Sequence, residues 1–236
     1  MNMIQRSFTP EALQEAWEIF LREFPMGLWE TVYVTILATA FAILIGLPLG
    51  MLLVAGEKNG IRPLPAPIMS ALNIIINLLR SVPFLILMVM VIPLTRLIVG
   101  TSVGTKASIV PLVIAAFPFV ARLVEGSLRE VSPNIIETAQ SMGATPLQIM
   151  LRVMLPESVP SLISNFTIAV TTILSYTAMS GAIGGGGLGK IAITYGYNRY
   201  KYAVLLLAVI LLIALVQIFQ SLGTYLATKC DKRLKK

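Results

Sequence analysis

The chain has 236 residues, 56% hydrophobic and 12% charged, with a mean hydropathy of +0.85. Soluble domains carry about 25% charged residues, so this composition excludes an ordinary water-soluble enzyme. With one cysteine, Cys230, and no histidine, the chain also lacks the means for a disulfide framework, a thiol–metal cluster, or Ser-His-Asp or Cys-His catalysis.

The N-terminus has neither the basic start nor the short apolar core of a secretory signal, which predicts an uncleaved, full-length chain. Leu13, Trp17, Phe20, Leu21 and Phe24 recur at helical spacing behind Thr9 and Pro10, a cap and a first helical residue. They predict an amphipathic helix in an outer interfacial segment, residues 1–26, packed against the span that follows. Its polar face carries Glu11, Glu15, Glu18 and Glu23, unlike a polybasic lipid anchor.

About 20 apolar residues at 1.5 Å each cross a ~30 Å hydrocarbon core. Five runs qualify. Residues 31–56 carry no charge, and residues 63–95 carry only Arg80, with a kink expected near Pro83. The third has an uncharged centre at 107–121, extendable from Ser102 to past Arg122. The fourth, 158–189, should end its helix at Ile183 before the glycines, and 202–228 closes the set. The expectation is an all-α polytopic membrane protein with five transmembrane helices over residues 27–228.

The longest hydrophilic stretch, about 122–157, is punctuated like folded structure. Ser132-Pro133 reads as an N-cap and first helical residue, and Gly143 as a left-handed C-terminal stop. Thr145-Pro146-Leu147-Gln148 is a capping box opening a second short helix, which Pro156 should end. Ile135, Ile136, Ala139 and Met142 form an apolar stripe on the first, suited to docking a partner.

With the C-terminus inside, the inner segments hold Lys58, Arg62, Arg122, Arg129, Arg152 and the tail bases Lys229, Lys232, Arg233, Lys235 and Lys236. The outer segments hold Arg6, Arg22, Arg96, Lys106, Lys190, Arg199 and Lys201. The basic excess therefore places the tail, residues 229–236, in the cytoplasm and the N-terminus outside. Bases gathered in a tail behind an apolar run also argue against a nucleic-acid partner.

Gly184-Gly185-Gly186-Gly187-Leu188-Gly189-Lys190 fits two phosphate-binding patterns, but no strand precedes it and Ile191 stands where a P-loop needs a hydroxyl. It reads instead as flexible backbone permitting close helix approach. Gly46 and Gly50 allow close packing of the first span, and Asn165-Phe166-Thr167, inside a span, is no glycosylation site. Asn73, Asn77 and Arg80 share one helical face, either lining a translocation path or bracing a kink and snorkelling. Asn77, Arg80, Tyr176 and Ser180, polar positions within spans, are the candidate substrate path.

Glu137-Thr138-Ala139, then Gly143 after three residues, then Val153-Met154-Leu155-Pro156 after nine more, keeps the spacing of a known signature. It resembles the cytoplasmic EAA element of ATP-binding-cassette importer permeases, with Thr138 and Val153 as mild substitutions. Over about residues 27–228, further segments resemble the methionine importer permeases. These are Asn77-Leu78-Leu79-Arg80-Ser81-Val82-Pro83, Ile92 to Arg96 with Val99 to Ser102, Gly143 to Pro146, and Gly184 to Gly189 with Tyr195-Gly196-Tyr197.

The resemblance implies a type I importer permease fold in a bacterial inner membrane. It also implies a second copy of the chain, two ATPase subunits holding ATP and Mg, and an outer methionine-binding protein. This chain would bind no cofactor or metal and catalyse nothing. Glu137, Thr138, Ala139, Gly143, Ala144 and Pro156, in a loop at about 130–157, would couple ATPase closure to the spans. The alternatives are a permease for another small amino acid, a passive channel, or an intramembrane enzyme. The last would need paired carboxylates within spans, and Glu30, Glu57, Glu125 and Glu157 are expected at or beyond their ends.

Overall fold

The computed structural model describes residues 9–231. Among these, every regular element is helical. Helix α1, Pro10–Ala55, is 46 residues long, about 70 Å, more than twice a hydrocarbon core. Thr9 caps it, its Oγ1 accepting from the Ala12 amide at 3.3 Å. The expected N-terminal helix is therefore not a separate piece packed beside the first span; the two are continuous through Pro25. An interior proline costs about 3 kcal/mol, but Ala16, Ile19 and Phe24 are buried and add apolar burial of comparable size.

The second run is not one straight helix. It divides into α2 (Ala66–Ser81), α3 (Phe84–Met90) and α4 (Ile92–Val99), with a 106° bend at the α2–α3 break. Val82, held extended ahead of Pro83 at φ −75°, ψ 125°, ends α2. Gly100, left-handed at φ +83°, ends α4.

Helix α5 (Thr105–Arg129) is the third span, longer at both ends than its uncharged centre. The capped segments α6 (Pro133–Ser141) and α7 (Pro146–Gln148) follow. Pro156 does not end the second of them. The chain widens into a π-helical stretch, Ile149–Met154, and continues through α8 (Leu155–Glu157) to Ser158. The Leu155 amide bonds to the Met150 carbonyl, and this looser winding accommodates a proline that would clash in α register. Helix α9 (Val159–Ser180) passes through a 3₁₀ turn ending at Ile183, as expected. Then come α10 (Gly187–Ile191), a π-helical stretch, Ala192–Tyr197, and α11 (Tyr202–Cys230). Among the described residues, four helices are long and apolar enough to span a membrane, or five if the bent α2–α3 pair counts as one span.

The contacts divide into two compact units. The first comprises Met1–Thr39, Phe84–Val113 and Val170–Phe219. Its core gathers Ala16, Ile19 and Phe24 with Leu188, Ile191 and Val204. The second comprises Ala40–Pro83, Ile114–Ala169 and Gln220–Lys236. Within it α1 and α5 touch closely: a Cβ on Gly50 would lie 2.6 Å from the Ala121 carbonyl oxygen, and one on Gly46 2.9 Å from that of Phe117. The glycine pair is thus a contact face. Helix α11 exposes Leu206, Ile210, Ile213, Ile218, Leu222 and Leu226, with Tyr202 and Tyr225 near its two ends. The Lys229 ammonium lies 5.9 Å from the Tyr225 ring.

Candidate functional site

The Glu137–Gly143 element is built from local capping. Gly143 has φ +76°, its amide bonds to the Gln140 carbonyl at 2.9 Å, and the Ala144 amide reaches back to Ala139 at 3.1 Å. This pair of bonds is a Schellman motif, so the signature residues Ala139, Gly143 and Ala144 are the two ends and the pivot of one helix stop. Thr138 and Ser141 return their hydroxyls to the carbonyls of Asn134 and Glu137. The capping box at Thr145 has both of its bonds, Gln148 amide to Thr145 Oγ1 at 3.4 Å and Thr145 amide to Gln148 Oε1 at 2.9 Å.

Ser132 stands at the N-cap position without a side-chain cap bond, and α6 has no buried side chain. Met142 is 83% exposed and Leu147 67%, an uncovered apolar tip at the helix junction. Behind it, a cleft of about 290 Å³ is lined by Val54, Glu57, Ile61, Ile136, Glu137 and Met154. Pro156 is exposed further along the same segment.

The candidate substrate-path residues sit in different settings. Asn77 accepts from Arg122 Nη2 at 3.0 Å and Asn73 accepts from the same nitrogen at 2.8 Å, so these asparagines hold an arginine of α5. Arg80 is exposed and shares neither that contact nor any hydrogen bond or ion pair among the described residues. Tyr176 stacks on Phe84, ring centroids 4.4 Å apart and planes within 4°. Ser180 is buried and its hydroxyl donates to the Thr177 carbonyl at 2.8 Å.

Two carboxylates expected at span ends lie inside helices. Glu125 is buried in α5, accepting from Arg122 Nη1 at 2.7 Å and Arg129 Nη2 at 2.5 Å, while Arg129 also pairs with Glu57. The cluster holds two guanidiniums and two carboxylates, so it is neutral as a whole. Its i, i+3 and i, i+4 spacing from Arg122 and Arg129 was the signal available in the sequence.

Glu30, in α1, holds the glycine loop. Its Oε2 accepts from the Gly187 amide at 2.7 Å and its Oε1 from the Thr105 hydroxyl at 2.8 Å. Beside it Thr31 Oγ1 accepts from the Leu188 amide at 2.8 Å and donates to the Gly27 carbonyl. The pattern that resembled a phosphate cradle thus encloses a carboxylate of its own chain. The acidic side of the N-terminal turns is likewise engaged, Glu15 by Lys201 at 2.6 Å and Glu23 by the Tyr195 hydroxyl at 3.3 Å.

Residues 46–234 match the family model described as binding-protein-dependent transport system inner membrane component. A probable D-methionine transport system permease protein of Vibrio cholerae is 50% identical over 205 residues, covering 87% of this chain and 91% of the relative. The D-methionine transport system permease protein of Escherichia coli K12 is 45% identical over 66% of this chain and 71% of its own. Among solved structures, an inward-facing MetNI methionine ABC transporter chain superposes with a TM-score of 0.86 at 42% identity, covering 88% of this chain and 95% of that one. An amino acid ABC transporter solved with histidines shares the fold alone, at a TM-score of 0.68 and 21% identity.

Proposed function

Because the chain belongs to the family of binding-protein-dependent transport system inner membrane components, we propose that it is the permease subunit of an ATP-driven methionine importer. The observation that carries this is the 50% identity to a probable D-methionine permease along nearly that protein's whole length. In this reading two copies form the pathway, two ATPase subunits bind ATP and Mg below, and a methionine-binding protein delivers substrate from outside. The N-terminus lies outside and the basic tail in the cytoplasm.

The largely exposed α6 would seat on the ATPase by Met142 and Leu147, with Glu137, Thr138, Ala139, Gly143, Ala144 and Pro156 shaping the element. Its internally bonded backbone supports motion as one body, which a transmission part requires. Along the substrate path, Arg80 and Tyr176 offer a cation and an aromatic face. Asn77 and Ser180 would act there through the groups they already bind.

The test is reconstitution of the chain with its ATPase and binding protein. Methionine should stimulate ATP hydrolysis and accumulate inside, and other small amino acids should do so much less. Equal stimulation by another amino acid would reassign the substrate; none by any would sink the importer reading.

A further inference from the structure

We infer that Glu30 is a positioning residue of the transport cycle: its carboxylate ties the glycine loop down in this conformation and releases it during turnover. The inference rests on the importer reading above. Three segments distant in sequence meet at Glu30 and its neighbour: α1 at Gly27 to Thr31, α5 at Thr105, and the loop at Gly187 and Leu188. A fourth tie, Gly104 amide to Gly184 carbonyl at 2.8 Å, holds the near end of the loop to the start of α5.

The loop's own tie is one backbone bond, the Gly185 amide to the Ser180 carbonyl at 2.9 Å. Residues 184–187 are four glycines in succession, with φ +89° at Gly184 and +79° at Gly187, and they have no side chains to pack. Glycine loses the most conformational freedom on ordering, so the place of such a loop is set by the groups that grip it. The grip is specific: a Cβ on Gly186 would collide with the Thr105 hydroxyl and the Glu30 carboxylate. The bonds to Glu30 come from neutral donors, and no arginine or lysine pairs with it among the described residues. Loop departure would leave a carboxylate beside a cleft of about 320 Å³ lined by Glu23, Lys190, Thr194 and Tyr195, where water and Lys190 can take over.

Hydrogen exchange of the complete transporter in lipid nanodiscs tests this, read at the amides of Gly187 and Leu188. Nucleotide-free complex should protect both, and vanadate-trapped complex should exchange them at least about tenfold faster. Equal protection in the two states would make Glu30 a fixed staple and overturn the inference. In Glu30→Ala, which removes the acceptor of both bonds, exchange should already be fast without nucleotide, and ATP hydrolysis without binding protein should rise several-fold. Parental values for both would overturn it equally. Should the variant fail to assemble, the parental comparison alone decides. Trapping needs only ATP hydrolysis, so an error about the substrate leaves the test intact, whereas failure of the parental complex to hydrolyse ATP at all sinks the importer reading instead.

Discussion

Glu125 and Glu30 are both carboxylates within long apolar helices, and they are held in opposite ways. Glu125 takes its two arginines from its own helix, three residues before and four after, so those bonds travel with α5 as a rigid body. Glu30 takes its donors from a threonine 75 residues away and a backbone amide 157 residues away. Those bonds exist only while a glycine loop is in place. A charge compensated within one helix serves stability, and a charge compensated by neutral donors on a separate loop can be uncovered without unfolding a helix.

The largest effect should come from breaking the first arrangement. Glu125→Ala leaves Arg122 and Arg129 without their shared carboxylate, and loss of one partner of a buried pair costs about 3–5 kcal/mol. Arg129 is half exposed and keeps Glu57, which puts the expected loss near the lower end. It should appear as a marked fall in the thermal midpoint of the purified complex. A change below about 1 kcal/mol would mean that the cluster behaves like a surface pair.

Gly143→Val tests a third kind of link, made wholly of backbone. A β-branched residue at φ +76° should cost roughly 1 kcal/mol or more of local strain, with nothing nearby to clash. Methionine uptake should fall sharply while membrane insertion stays normal, and the ATPase should dissociate more readily or turn over without transport. Gly143→Asn, which tolerates the left-handed region, should recover much of the loss, and Glu137→Ala should act in the same direction more weakly. Parental uptake in Gly143→Val would remove α6 from the coupling path.

Thr31→Val sharpens the second arrangement. It deletes the Leu188 bond and leaves Glu30 intact, so about 1 kcal/mol should be lost, visible as faster exchange at Leu188 than at Gly187. Asn77→Ala should be smallest, about 0.5 kcal/mol in the same thermal assay, because Asn73 continues to hold Arg122.

What was legible in the sequence is what depends on near neighbours. Thr9, Ser132 with Pro133, Gly143 and the Thr145 box mark their helix ends, and α11 runs two residues beyond its expected close. Where a remote contact or a change of winding decides, local signals misled. The amphipathic spacing from Leu13 to Phe24 suggested a helix packed against the first span, but burial of Ile19 and Phe24 carries α1 straight through Pro25. Pro156 suggested a stop, and the π-helical stretch absorbs it. The spacing that put Asn73 and Asn77 on one face with Arg80 could not reveal their partner Arg122, 49 and 45 residues on. The partners of Glu30 lie too far along the chain for spacing to reveal them.

The exposed apolar side chains of α11 extend from Leu206 to Leu226, 20 residues apart and about 30 Å at 1.5 Å per residue. That length equals the hydrocarbon core of an average bilayer, and Tyr202 at one end and Tyr225 with Lys229 at the other suit its two interfaces. A bilayer a few ångströms thicker or thinner imposes a mismatch costing fractions of a kcal/mol per Å, which over about 3 Å rivals a single hydrogen bond. The surrounding lipid is therefore a mechanical load of the same size as the ties on the glycine loop. Acyl-chain length becomes a setting that can tune turnover without any change in the protein.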